Sequence, residues 1–254
     1  MFIDTHAHLF YPNFNGEVDE VIVRALQAGV EKIIVPATDI ASSAQAIDLA
    51  EANQCIYATV GVHPHDTKEW KDSLIDELRG MAKHEKVVAI GEIGLDYYYD
   101  FSPKDIQKQA FEAQINLSLE LDKPIVVHNR ESNDDVMALI NKYYEKKLRA
   151  QFHCFAGSGN DARALIEMGH YISFTGNITH TKADNVRKVL QSVSLENLFL
   201  ETDSPFMTPV PHRGQRNEPA YVKLVAEKVA EVHNTTVENV AKITTENAKK
   251  FFKI

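Results

Sequence analysis

Eight times along this chain a short run of β-branched and other apolar residues is followed by a longer stretch of helical periodicity, and this alternation restricts the fold more than any other feature. The runs are Met1–Asp4, Lys32–Pro36, Ile56–Gly61, Val87–Gly91, Ile125–His128, Ala150–His153, Tyr171–Phe174 and Leu198–Glu201. Between them apolar residues recur at helical spacing. Val18, Ile22, Ala25 and Leu26 mark the first helix, with Gly29 as its stop. Ala44, Ile47 and Ala50 mark the second, and Leu74, Leu78 and Met81 the third, with Gly80 near its end. Phe111, Ile115, Leu117 and Leu121 mark the fourth, which Pro124 terminates. Val136, Leu139, Ile140 and Tyr143 mark the fifth; Ala162, Leu165 and Ile166 the sixth; Val186, Val189, Leu190 and Val193 the seventh. The segment Ala220 to Val232 reads as the eighth, and a further helix covers Val237 to Phe252.

Strand–helix repeats of roughly thirty residues predict an α/β fold of the (β/α)8 TIM-barrel type, with residues 1–254 as a single domain. A doubly wound open sheet is the alternative. The barrel is preferred because polar chemistry sits at strand ends spread over the whole chain, whereas an open sheet gathers it at one switch point. No apolar stretch is long enough for a membrane span, and Met1-Phe2-Ile3-Asp4 lacks the basic start and apolar core of a signal peptide. Cys55 and Cys154 form no C-x-x-C pair, which fits a reducing cytoplasm and a structural role. The net charge of −9 argues against a protein that tracks along duplex DNA, which carries a basic stripe. A nucleic-acid substrate would be gripped over a few nucleotides near an end.

His6 and His8 follow the first run at i, i+2 spacing, so both point the same way from an extended chain and can share one metal. Alone, H-x-H is equally compatible with two surface histidines. Glu92 follows Val87-Val88-Ala89-Ile90-Gly91; a carboxylate there is costly unless paired or metal-bound, and its two oxygens can bridge two cations. His128 and His153 each cap an apolar run, and either by itself reads as an ordinary core or surface histidine. Their common position in the repeat, shared with His6, His8 and Glu92, is what points to a site. At and just past the end of the eighth run, Glu201 and Asp203 share a face by alternation; Asp203 can both bind a metal and accept a proton from water, while Glu201 lies nearer the strand interior as a buried partner. Four imidazoles and two carboxylates exceed what one catalytic metal takes. Two divalent ions roughly 3.5–4 Å apart fit the count, with a hydroxide between them as nucleophile. Zinc, manganese and magnesium are the candidate ions.

These blocks resemble the TatD family of metal-dependent DNases, a branch of the amidohydrolase-like barrels. The resemblance runs through Phe2-Ile3-Asp4-Thr5-His6-Ala7-His8, Gly61-Val62-His63-Pro64-His65, Gly91-Glu92-Ile93-Gly94-Leu95-Asp96-Tyr97, His128-Asn129-Arg130, Phe152-His153-Cys154-Phe155 and Glu201-Thr202-Asp203-Ser204-Pro205, and continues through Pro211-His212-Arg213-Gly214 and Asn217-Glu218-Pro219. It implies that His6, His8 and Asp203 ligate one metal, that His128 and His153 ligate another, that Glu92 bridges them, and that Asp203 is the base. It implies hydrolysis of phosphodiester bonds, as a 3′-5′ exonuclease on single-stranded DNA and also RNA. The alternatives are a small-molecule amidohydrolase, lactonase or phosphoesterase on the same metals, or a metal-binding scaffold without catalysis. No membrane and no obligate protein partner are expected.

Around the metals, Arg130 lies two residues beyond His128 and can clamp phosphate, or else pair with Glu131. Arg213 and Arg216 sit in the loop after the eighth run, a place that often holds phosphate in this fold, though Arg213 can equally pair with an acid. His63 can touch substrate or serve as a structural loop histidine, beside His65. Tyr97, Tyr98, Tyr99 and Phe101 can stack nucleobases, but at least half of them are expected to pack a loop. Cys154 is expected to point away from His153 and be buried.

Overall fold

β-Branched runs favour extended backbone because their side chains suit a pleated, buried surface. In the computed structural model, which describes residues 1–254, they form eight parallel strands: β1 (Phe2–Asp4), β2 (Val30–Val35), β3 (Ile56–Val60), β4 (Val87–Asp96), β5 (Ile125–Arg130), β6 (Ala150–Phe152), β7 (Tyr171–Phe174) and β8 (Leu198–Leu200). Their order in the sheet is β1 to β8, as in the chain. The helices are α1 (Val18–Gln27), α2 (Ile40–Ala52), α3 (Leu74–Met81), α4 (Lys104–Glu120), α5 (Asn133–Lys142), α6 (Gly159–Glu167), α7 (Asp184–Ser192), α8 (Val222–His233) and α9 (Val237–Phe252). This is the (β/α)8 succession of a TIM barrel.

Three boundaries differ from the sequence reading in ways that matter. β4 continues five residues past Gly91, so Glu92 lies within a strand rather than after one. β5 continues through Arg130, and β8 stops at Leu200, which leaves Glu201 and Asp203 beyond regular structure. Two helical faces also differ. On α1 the buried stripe is Val21, Ile22 and Ala25, and Leu26 is half exposed. On α2, Ser42, Ser43, Ala46 and Ala50 are buried and Ala44 is exposed. Burying the two serines is tolerable because both hydroxyls are satisfied by the Asp39 cap: Ser43 Oγ donates to Asp39 O at 2.7 Å, and Ser42 Oγ to Asp39 Oδ1 at 2.6 Å.

The chain gathers into two compact units, Met1–Val35 with Gly157–Ile254, and Pro36–Ala156. In the first, β1 pairs with β2 and β7 with β8, and Thr5 N donates to Leu200 O at 3.1 Å. Its core includes Ile33, Phe174, Phe199 and Val225, and Tyr171 stacks on Phe199 with centroids 4.6 Å apart. In the second, β3 to β6 pair in succession around buried Ile56, Ile90, Phe111, Val127 and Phe152. The β4–β5 register shifts between Ile90 and Ile93, which places Glu92 at an irregularity of the ladder. Such irregularities re-aim side chains near functional sites. Gly94 has φ +141°, and a Cβ there would collide with the carbonyl oxygen of His128, so only glycine lets β4 and β5 approach so closely. No helix is long and apolar enough to cross a membrane.

Candidate metal-binding sites

In the first unit, the chain beyond β1 stays extended by bonding to the segment beyond β8. Asp203 N donates to His6 O and His8 N to Ser204 O, each at 2.8 Å, and Ala7 bridges Ser204. Alternation therefore persists past the end of the strand, and His6 and His8 face one way. Asp203 has φ +55°, a left-handed turn that swings its carboxylate toward the imidazoles instead of continuing the alternation from Glu201. His6 Nε2 lies 3.1 Å from His8 Nε2, and the two lie 3.8 and 3.7 Å from Asp203 Oδ1. Asp4 braces this turn from behind: its carboxylate accepts from Thr202 N at 2.9 Å, Thr202 Oγ1 at 2.6 Å and His6 N at 3.2 Å. Burial pushes the Asp4 carboxyl up to about 8 against the pull of those bonds. Tyr11 stacks on the His8 ring at 4.8 Å. Glu201 is fully buried and accepts from Ser173 Oγ at 2.7 Å.

In the second unit, Glu92 is the hub. Its Oε1 lies 2.8 Å from His128 Nδ1, 2.8 Å from His153 Nε2 and 3.4 Å from His63 Nε2. His128 Nδ1 and His153 Nε2 are 3.4 Å apart. The far nitrogen of His128, Nε2, bonds Asp96 Oδ2 at 2.9 Å, and His65 Nε2 reaches the same oxygen at 2.8 Å. Asp96 Oδ1 accepts from Tyr98 N and Tyr99 N, each at 3.0 Å. Burial raises the Asp96 pKa, but the bonds from His128, Tyr99 N and His65 outweigh it and hold the carboxylate well below its ordinary range. Burial lowers His128, yet its bonds to Asp96 and Glu92 leave it raised overall, while burial takes His63 down to about 4. Sequence reasoning did not assign a role to Asp96 or His65. The signal was present: Glu92, Gly94 and Asp96 share a strand face by alternation.

Both clusters fit a metal ion. Zinc–nitrogen bonds of about 2.1 Å set tetrahedral ligand atoms about 3.4 Å apart. The donor–donor distances are 3.1 to 3.8 Å in the first cluster and 2.8 to 3.4 Å among Glu92, His128 and His153. Mixed imidazole and carboxylate donors suit zinc or manganese. His128 has the arrangement by which a carboxylate would fix the tautomer of an imidazole for metal binding: Asp96 can take the proton on Nε2 and leave a lone pair on Nδ1.

The surrounding residues depart further from expectation. Arg130 does not pair with Glu131; its guanidinium lies 4.0 Å over the Tyr98 ring and 4.9 Å from that of Tyr99. Tyr98, Tyr99 and Phe101 are all exposed, so the packing expected for at least half of this aromatic group holds only for Tyr97, whose hydroxyl donates to Asp135 at 2.6 Å. Arg213 lines a cavity of about 330 Å³ with His180 and Lys182. Arg216 is not a free phosphate ligand: it donates to Asn13 O and pairs with Glu17 at 2.9 Å, which ties down the loop. Cys154 is only partly buried, because its φ of +43° breaks the alternation that began in β6.

Parallel strands in (β/α)8 order, with imidazole–carboxylate clusters at their ends, define a metal-dependent hydrolase of the TIM-barrel type. The family model for TatD related DNase matches residues 3–253. The chain is 43% identical over 254 residues to the uncharacterized metal-dependent hydrolase YabD of Bacillus subtilis, covering all of both proteins. It is 34% identical over 258 residues to the 3′-5′ ssDNA/RNA exonuclease TatD of Edwardsiella piscicida, with 99% of each covered. The crystal structure of the TatD homologue YJJV from Escherichia coli superposes with a TM-score of 0.93 at 32% identity, covering 100% of this chain and 98% of that one. The chain belongs to the TatD family.

Proposed function

We propose that this TatD-family hydrolase is a two-metal phosphodiesterase that removes nucleotides from the 3′ end of single-stranded DNA, and of RNA, in the cytoplasm. The observation that carries the reading is the pair of three-donor clusters, each with ligand spacings suited to one divalent ion. His6, His8 and Asp203 would hold one ion, and Glu92, His128 and His153 the other. Bound ions supply Lewis-acid charge neutralisation and acidify water.

Asp203, buried and anchored by its backbone bond to His6, accepts the proton of the attacking water. The water oxygen forms a bond to phosphorus, the P–O3′ bond breaks with its electron pair on O3′, O3′ takes up the proton that Asp203 accepted, and the released nucleotide keeps a 5′-phosphate. Glu92 holds two imidazoles in register through one oxygen, so its loss would scatter both ligands. His63, its proton affinity lowered by burial, stays neutral: Nδ1 accepts from His65 N at 3.2 Å, so Nε2, 3.4 Å from Glu92 Oε1, carries the proton and would donate it to substrate once Glu92 engages an ion. Arg130 and Arg213 carry no ion pair and are the cations for backbone phosphate. The exonuclease named among the relatives supports the substrate class. The net charge of −9 keeps a second reading open, a phosphoesterase or amidohydrolase of small molecules.

The test is cleavage of 3′- and 5′-labelled single-stranded DNA with Mg2+, Mn2+ or Zn2+, with EDTA, and with Glu92→Ala and Asp203→Ala. Stepwise, metal-dependent shortening from the 3′ end that both variants lose is the expected result. Metal-loaded protein that cleaves neither DNA nor RNA but hydrolyses an ester or amide panel would overturn the nuclease reading.

A further inference from the structure

Three large aromatic side chains stand in solvent beside the second cluster. Tyr98 is 53% exposed, Tyr99 39% and Phe101 56%. Leaving such rings in water forfeits burial, and a contiguous group of them marks an interaction site. Their arrangement is ordered. Tyr99 and Phe101 lie nearly parallel, with centroids 5.1 Å apart and planes 14° apart. Tyr98 meets Tyr99 edge-on at 4.7 Å, and the Arg130 guanidinium caps Tyr98 at 4.0 Å. Arg130 makes no salt bridge, so its N–H edge is available beside the rings.

The group is fastened to the cluster rather than merely near it. His65 packs edge-on against Tyr99 at 5.3 Å and Phe101 at 4.9 Å. Ser102 Oγ donates to His65 O at 2.9 Å, which pins the far end of the loop. Asp96 joins the two structures with its two oxygens: Oδ1 holds the backbone of Tyr98 and Tyr99, and Oδ2 holds His128. A ligand on the rings is thereby registered against a metal-ligating imidazole.

We propose that Tyr98, Tyr99 and Phe101, with Arg130, form a stacking platform for one nucleobase of the substrate strand. Flat, exposed rings beside an unpaired planar cation match the face of a base and the phosphate next to it, which a small aliphatic ester would leave uncovered. The proposal rests on the nuclease reading and adds a residue-level contact for the base. Stacking on an aromatic ring changes affinity by roughly 5- to 150-fold per base.

The experiment compares a natural single-stranded hexanucleotide with one carrying an abasic tetrahydrofuran residue at successive positions near the 3′ end. Cleavage is followed in the full chain with its metal, and binding by anisotropy in Asp203→Asn. The wild type should lose tenfold or more in kcat/KM at one abasic position, mainly through KM. Tyr98→Ala/Tyr99→Ala and Phe101→Ala should abolish the difference between the two strands, with unchanged thermal denaturation. Arg130→Lys, which keeps the charge but not the plane, should weaken it. Wild-type cleavage and binding indifferent to abasic substitution would overturn the platform and leave the hydrolase reading standing. Should no strand be cleaved, the nuclease reading falls; base-dependent hexanucleotide binding would then still support the platform, and base-independent or absent binding would overturn it.

Discussion

Replacing Asp96 by Asn changes one atom of a buried carboxylate and, on the two-ion proposal, should weaken the site built on Glu92, His128 and His153 selectively. Asp96 accepts four bonds: from His65 at 2.8 Å, His128 at 2.9 Å, and the backbones of Tyr98 and Tyr99 at 3.0 Å each. The amide oxygen of Asn can keep the two backbone donors. Its NH2 then faces two imidazole nitrogens that were themselves donors, so His128 must turn Nε2 into an acceptor and carry its proton on Nδ1. That atom is the one 2.8 Å from Glu92 Oε1, and protonation removes its lone pair from the ligand set. Loss of such a supporting carboxylate costs about 10- to 100-fold in metal affinity, equivalent to about 1.4–2.8 kcal/mol. Calorimetric titration of metal-free protein with Zn2+ or Mn2+ reads this directly. One equivalent should weaken by that factor, while the equivalent proposed to sit on His6, His8 and Asp203 should keep its affinity. Wild-type affinity for both equivalents in Asp96→Asn would refute the tautomer argument.

Three further outcomes follow from the geometry. His6→Ala should remove one equivalent of bound metal and lower turnover by at least 100-fold; undiminished metal content, measured by mass spectrometry, would place the ion elsewhere. Gly94→Ala forces a Cβ into the His128 carbonyl at a positive φ and should destabilise the fold by about 1–3 kcal/mol; an unchanged denaturation midpoint would contradict that close approach. His170, buried and pushed down to about 4, folds as neutral imidazole. The unfolded chain therefore binds a proton between its ordinary 6.5 and about 4 that the folded one refuses, and stability falls as pH falls through that window, by about 3 kcal/mol at its lower end. His170→Asn should flatten urea-denaturation stability over that range, and an unaltered slope would rule the group out.

Much of the fold was legible because periodicity is a local property. The alternation of runs and helical stretches located eight strands and nine helices, and α9 begins and ends where the pattern places it. Errors arose where local rules stop. The apolar pattern of α2 missed buried Ser42 and Ser43, since a cap, not hydrophobicity, makes their burial tolerable. Alternation failed at Cys154, whose φ of +43° leaves the extended region.

The candidate donor types and the shared face of His6 and His8 were set by the sequence itself: residue identity decides donor chemistry, and a two-residue period decides which face the two imidazoles share. Distances between residues remote in the chain were decided by tertiary structure alone. Only the bonding of Thr5–His8 to residues 200–204 brings Asp203 within 3.8 Å of His6 and His8, across almost two hundred residues. Only the pairing of β4 with β5 makes Asp96 the partner of His128, and only the turn beyond Asp96 leaves Tyr98, Tyr99 and Phe101 in solvent with Arg130 laid across them. A sequence states which side chains are offered, but long-range packing settles which of them meet, because no local propensity encodes a contact made through the rest of the fold.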